Sequence, residues 1–262
     1  MSIVQAGLPP VARPSAAAWG ELIRAEMRSV IRDTAGLLIP IGMPSLLLVT
    51  QGAAASQEIL PDTGGRSVYE IFVLPLMLVM VVALVGVVNM PSFLATYRTS
   101  GLLKRLATTP AHPAMLLCAQ LVVSLAQTVV GVGIALGLSA ALFGIVGPAH
   151  VWMTVGVFAL VCVAMYAIGM LVAAVSPTPN ASVAIGLVTF FAIGALGGML
   201  GGAQNLPGPI AEIGRWLPYG AGTHALQLAW IGDPVPWQPL VALAAATVLG
   251  GAFAVKFFRW TR

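Results

Sequence analysis

From residue 36 onward the chain reads as long apolar stretches separated by short polar breaks. Six stretches match the roughly 20 residues needed to cross a hydrocarbon core: about 36–55, 71–95, 114–142, 151–175, 181–203 and 239–258. None alternates with period two, so the spans are predicted as helices, which satisfy their own backbone hydrogen bonds in lipid, and not as barrel strands. Residues 18–33 instead follow a helical period. Trp19, Leu22, Ile23, Met27, Val30 and Ile31 make one stripe with Arg24, Arg28 and Arg32 opposite, the pattern of a helix lying in the membrane interface. Glu26 falls within that stripe, which calls for a neighbouring basic group or a tilted helix. Segment 203–238 is too broken by Pro and Gly to span. Yet PIAEIGRWL and THALQLAW are amphiphilic and carry Trp216 and Trp230, residues favoured at the membrane boundary. The predicted fold is all-α integral membrane: an interfacial helix, six spans and a broken re-entrant segment before the last. Residues 1–17 are expected to be a flexible tail and 18–262 one domain.

Composition agrees. Hydrophobic residues make up 59% of the chain and charged residues 8%, with mean hydropathy +0.97, whereas a soluble domain carries about a quarter charged residues. The placement of charge adds an orientation. With the N-terminus inside, the inner segments hold Arg13, Arg24, Arg28, Arg32, Arg98, Lys104, Arg105, Lys256, Arg259 and Arg262, and the outer ones only Arg66 and Arg215. Basic residues collect on the cytoplasmic side, so both termini are expected there. The net charge of +4 then reports topology, and no nucleic-acid partner is expected. The excess of Arg over Lys, with abundant Ala, Gly and Val, hints at a GC-rich genome. The N-terminus MSIVQAGLPPVARPS lacks the pattern of a cleavable signal. Cys118 and Cys162 fall at depths roughly 10 Å apart on these spans, too far for a disulfide; both read as buried small apolar residues.

Several chemistries are excluded. No phosphate-binding G-x-x-x-x-G-K-[ST] stretch precedes Lys104 or Lys256. No acid or base lies in mid-membrane, as an ion-coupled carrier would use; Lys256 is near enough to an end to snorkel. His112, His150 and His224 lie in separate segments without metal-ligand spacing, and no nucleophile–base arrangement is visible. No bound metal, cofactor or catalytic residue is expected, and any energy source must be supplied by another chain.

The remaining polar and small residues fall into patterns. Asn89 and Ser92 share a face of the second span, and Gln120, Ser124, Gln127 and Thr128 share a face of the third. Such stripes line a translocation route or glue helices together by hydrogen bonds. Gly194, Gly198 and Gly202 repeat every fourth residue, which lets helix backbones approach closely, within one subunit or between two.

One short segment concentrates charge. In 97–113, YRTSGLLKRLATTPAHP, the run Gly101-Leu102-Leu103-Lys104-Arg105-Leu106 followed by Thr108-Thr109-Pro110 resembles the G-x-L-K-R-L-x-x-T-P pattern of the membrane subunits of type-2 ABC exporters, especially those grouped with bacterial drug-resistance permeases. LPYGAGTHALQLAW at 217–230 is similar to a second segment of that family, and the span order agrees over nearly the whole chain. Tyr97 departs from the pattern, where many members carry Glu. The resemblance implies a permease pairing with a second copy or a paralogue, and with a cytosolic ABC ATPase subunit that binds ATP and Mg. It implies that Arg98, Gly101, Leu102, Leu103, Lys104, Arg105, Leu106 and Pro110 belong to a coupling loop docked on that ATPase. It further implies outward movement of a hydrophobic or amphiphilic drug or lipid, or else of a glycan. A membrane anchor that only recruits a cytosolic enzyme is the competing reading.

Overall fold

The computed structural model describes residues 16–101, 113–200, 202 and 205–257. Leu102, Leu103, Lys104, Arg105, Leu106 and Pro110 lie outside the described residues, as does the predicted tail up to residue 15. The described helices are α1 (Ala16–Arg32), α2 (Thr34–Ala54), α3 (Tyr69–Thr99), α4 (Pro113–Phe143), α5 (Val151–Val175), α6 (Pro179–Leu196), α7 (Gly208–Trp216), α8 (Pro218–Ile231) and α9 (Trp237–Phe257). No strand occurs among the described residues. Six of the helices, α2 to α6 and α9, are long and apolar enough to span, and the chain is an all-α integral membrane protein. Successive spans alternate in direction. We call the end carrying α1 and the 99–113 connection the near end, and the end carrying 55–68, 144–150, α7 and α8 the far end.

The centre of the bundle is α3. Its apolar window is 89% buried, against 22–50% for the other spans. It packs against α2, α4, α5, α6 and α8. Its sequence contains Pro75 and Pro91, which cannot donate to the carbonyls four residues earlier. Each is preceded by π-helical turns, at Tyr69–Val73 and Leu84–Asn89, so the kink that a proline at position 91 imposes is taken up by a widened turn. That widened backbone needs room. A Cβ on Gly186 of α6 would sit 2.6 Å from the Val87 carbonyl oxygen, and one on Gly169 of α5 would overlap the Gly86 carbonyl oxygen. Val87 is the residue whose α-helical partner Pro91 removes, so glycine on the neighbouring helix gives its stranded carbonyl space.

The amphipathic α1 turns its stripe toward protein. Val30 is buried, and Leu22, Ile23 and Met27 pack on the core, with α4 and the start of α2 as neighbours. Ile31, at the stripe's edge, stays exposed. Asp33 follows α1 and caps α2, accepting from the Gly36 N–H at 3.0 Å.

Two expectations change. The fifth span ends at Leu196 and not near 203. Gly198 and Gly202 have left-handed φ of +86° and +90°, so with Gly194 they form no single helical face. Gly194 instead leaves space for Met199, whose sulfur would lie 2.8 Å from a Cβ there, as the chain folds back on itself. Cys118 is exposed, while Cys162 is buried and both are free; among the described residues none covers the face of α4 bearing Cys118.

Candidate transport chamber and the polar contacts around it

At the near end, α3 stops where its sequence allows. Ser100 donates its N–H to Thr96, and Gly101 takes φ +72°, the left-handed conformation that glycine adopts just past a helix. Arg98 is half-buried in the last turn. Behind it, Tyr97 points inward and donates a short hydrogen bond to the Glu26 carboxylate of α1, with Gln120 of α4 at 3.4 Å. All three side chains are buried. The polar neighbour that Glu26 requires is therefore a tyrosine hydroxyl and not a basic group. Burial raises the Glu26 carboxyl above its ordinary range, a shift that the Tyr97 hydrogen bond opposes. Departure from the family pattern at position 97 leaves an acid–hydroxyl contact joining α1, α3 and α4.

In mid-bundle the two polar stripes meet. Asn89 donates to Gln127 Oε1 at 2.9 Å, and Gln127 Nε2 donates to the Gly36 carbonyl at 2.7 Å. Pro40 explains the second bond, because Gly36 is four residues before it and its carbonyl has no helical N–H to accept. Thr128 pairs with the Tyr166 hydroxyl at 2.8 Å, and Ser92 donates to the Asn89 carbonyl at 2.8 Å. Ser124 and Gln120 are both 1% exposed. Five of the six side chains are buried, Ser92 is partly so, and none of the six lines the cavity described next.

At the far end a cavity of about 880 Å³ opens between α2, the start of α3, the Gly197–Gly202 segment, α7, α8 and α9, a size suited to a drug-sized molecule. Its lining combines apolar side chains, among them Phe72, Leu76, Met77 and Met199, with the polar Gln51, Arg215, His224, Gln227 and Gln238. Partial desolvation, aided by the positive charge of Arg215, pushes the His224 imidazole below its ordinary range. Three glycines fix the chamber's edge. A Cβ on Gly197 would lie 2.7 Å from the Gly220 nitrogen, while those on Gly214 and Gly220 would overlap the carbonyls of Leu196 and Gly214. The end of α6 thus meets α7 and α8 backbone to backbone. Trp216 and Trp237 pack edge to face at 6.2 Å, joining α7 to α9.

Beside the chamber lies a contact that the charge pattern concealed. Glu70, which directly precedes the long apolar run of α3, is 1% exposed. Its Oε1 accepts from the Gly147 N–H at 2.7 Å and the Trp230 indole N–H at 3.0 Å, and its Oε2 accepts from the Val146 N–H at 3.0 Å. Arg66, also buried, donates to the Gly147 carbonyl at 2.8 Å. Ala149 N–H caps the Trp230 carbonyl at 2.8 Å, and Thr154 donates to the Ala229 carbonyl at 3.1 Å. Together these contacts bind the 144–150 connection and the end of α8 to α3. The one local signal was an acid abutting the apolar run that follows it.

Six spanning helices, an amphipathic helix packed at one end and an amphiphilic chamber at the other define a multi-pass membrane transport component. Residues 17–256 match the family model described as ABC-2 family transporter protein, and the chain belongs to this family. It is a permease subunit of an ABC transporter, a membrane component that is not itself catalytic. Comparison with curated proteins finds no significant match.

Proposed function

We propose that the chain is the membrane half of an ATP-driven exporter of hydrophobic or amphiphilic molecules in a bacterial plasma membrane, with both termini cytoplasmic. Two copies, or one copy and a paralogue, pair with two cytosolic ATPase subunits that carry ATP and Mg. The carrying observation is the far-end chamber, whose mixed apolar and polar lining suits a molecule with both characters. The near end suits the input. Arg98 and Gly101 open the connection toward Leu102, Leu103, Lys104, Arg105, Leu106 and Pro110, the segment that resembles the family's docking loop, and Tyr97 ties its root to α1 through Glu26. ATPase closure would press on that loop. Movement passed along α3 would then reach Phe72, Leu76 and Met77 at the chamber, since one continuous helix carries both ends.

The test is purification of the tagged chain from cells expressing its native operon, followed by reconstitution and transport of a fluorescent amphiphile. ATP-dependent movement that is lost in Gly101→Pro/Leu102→Asp, together with loss of a co-purifying ATPase, supports the proposal. Undiminished transport and association in that variant would remove the docking assignment. Absence of any ATPase partner would remove the exporter reading.

A further inference from the structure

The polar part of the chamber's lining has a one-sided chemistry. Gln51 ends an otherwise apolar span, Gln227 belongs to α8 and Gln238 to the first turn of α9, so three amides from three elements converge on one cavity. None of them makes a side-chain hydrogen bond to another described residue. Amides facing a partly apolar cavity at the membrane boundary leave donors for a ligand to satisfy. Arg215 is the charged side chain among the lining residues, and no carboxylate lines the cavity. Its partner Glu212, at 3.1 Å, is one turn back on α7, and both side chains are more than half exposed. An exposed pair of that kind is worth little, so a ligand anion can replace Glu212 at small cost. A guanidinium with amide donors in the same cavity lining matches a carboxylate or phosphate oxygen set. Exposed Phe72, with the partly buried Val68 and Val73, provides apolar surface for a chain or ring system.

We infer that the chamber takes an anionic amphiphile, its carboxylate or phosphate head on Arg215 with Gln51, Gln227 and Gln238 and its apolar body along α3. This rests on the exporter reading for its physiological meaning, but the site itself is testable without transport. A cationic or neutral amphiphile of the same length would lack the contact that sets the orientation.

The experiment measures binding of 12-NBD-dodecanoate, and of its neutral methyl ester, to the full-length chain in phosphatidylcholine nanodiscs. Saturable binding of the acid is expected, several-fold weaker in Arg215→Gln as befits a partly exposed ion pair, with the ester unaffected by that change. Glu212→Gln frees Arg215 and is expected to tighten acid binding several-fold, which mere loss of a helix-surface ion pair would not do. Displacement of the probe by phosphatidylglycerol added to the disc identifies a two-chain lipid as the source of the head group; no displacement identifies a single-chain acid. Equal affinity for acid and ester, or acid binding indifferent to both Arg215→Gln and Glu212→Gln, overturns the inference and leaves the exporter reading standing. Charge-selective binding without ATP-driven transport removes the exporter reading and leaves the anion site.

Discussion

Replacing Glu70 is the sharpest test of how the far end is held. Its carboxylate accepts three hydrogen bonds, from Gly147 and Trp230 on one oxygen and Val146 on the other. Glu70→Leu keeps an apolar side chain of similar reach and strands all three donors. A buried donor without a partner costs about 1–3 kcal/mol. The Val146 and Gly147 contacts are only partly buried, so water can re-satisfy those two groups in part, whereas the Trp230 bond is fully buried. The total therefore belongs at the lower end, about 3–5 kcal/mol. Glu70→Gln retains one acceptor oxygen. Placed to keep the Gly147 and Trp230 bonds, it turns its NH₂ against the Val146 N–H and costs about 1–3 kcal/mol. For a chain of this size each kcal/mol moves the midpoint by about 2–4 °C, so Glu70→Leu is expected to lower Tm by roughly 10 °C and Glu70→Gln by about half as much or less. The structure supplies its own reporter. Cys162 is buried and Cys118 exposed, so in a Cys118→Ser background a thiol-reactive dye reports unfolding through Cys162 alone. Midpoints for both variants within about 2 °C of the parent would refute the assignment of Glu70 as the brace between α3, α8 and the 144–150 connection.

The same assay reads three further variants. Gly169→Ala puts a methyl into the Gly86 carbonyl and Gly186→Ala one 2.6 Å from that of Val87, whereas Gly156 has nothing within 4 Å. The first two are expected to cost about 1–3 kcal/mol, and Gly156→Ala to be neutral or stabilising by up to about 1 kcal/mol; equal effects at all three would contradict the packing. Gln127→Leu strands both the Asn89 amide and the Gly36 carbonyl freed by Pro40, while Asn89→Leu strands only Gln127 Oε1. Gln127→Leu should therefore be the more damaging, by about 1 kcal/mol, and a reversed order would show that the Gly36 contact is idle. Glu26 has its carboxyl pKa raised by burial, so the folded state holds that proton more tightly than the unfolded chain does. Its contribution to stability is greatest below the ordinary Glu value of about 4.3 and is lost as pH rises through the folded-state value. The Tm of the parent relative to Glu26→Gln should fall over that interval, and a difference that does not change with pH would sink the reasoning.

What was legible in the sequence is what run length and period encode. The six spans follow from apolar runs, and their ends shift by few residues except where glycine intervenes. The GALGGMLGG stretch is as apolar as the helix before it, so hydropathy carries it to 203. The chain leaves the helix at Leu196 because glycines permit the left-handed turns at Gly198 and Gly202. A four-residue spacing of small residues signals close approach only while the backbone remains helical. The actual backbone contact, Gly197 with Gly214 and Gly220, joins segments whose spacing has no period at all. Glu70 and Arg66 were hidden for a related reason. Each lies beside an apolar run, where an interfacial charge is ordinary, and their partners are 76–81 and 160 residues away in sequence.

The prolines show how far a local rule can be taken. A proline inside a helix strands the carbonyl four residues back, so Pro40 and Pro91 identify Gly36 and Val87 as backbone oxygens in need of accommodation. The sequence does not reveal which neighbour provides it, and the structure uses two different solutions. Gly36 is given a donor, Gln127, because α2 and α4 are neighbours at the depth where α4 carries its polar stripe. Val87 is given space, by Gly186, although the Ser182 hydroxyl lies one turn away on the same face of α6 and makes no hydrogen bond to another described residue. The consequence differs with the solution. A hydrogen bond fixes the start of α2 to α4 and to Asn89 of α3, whereas a glycine contact restrains the π-helical turn of α3 only by shape. Movement along α3 from the Tyr97 end toward the chamber would therefore be expected to strain the Asn89–Gln127 hydrogen bond first and then to pass through Leu84–Val88, where no side-chain bond has to break.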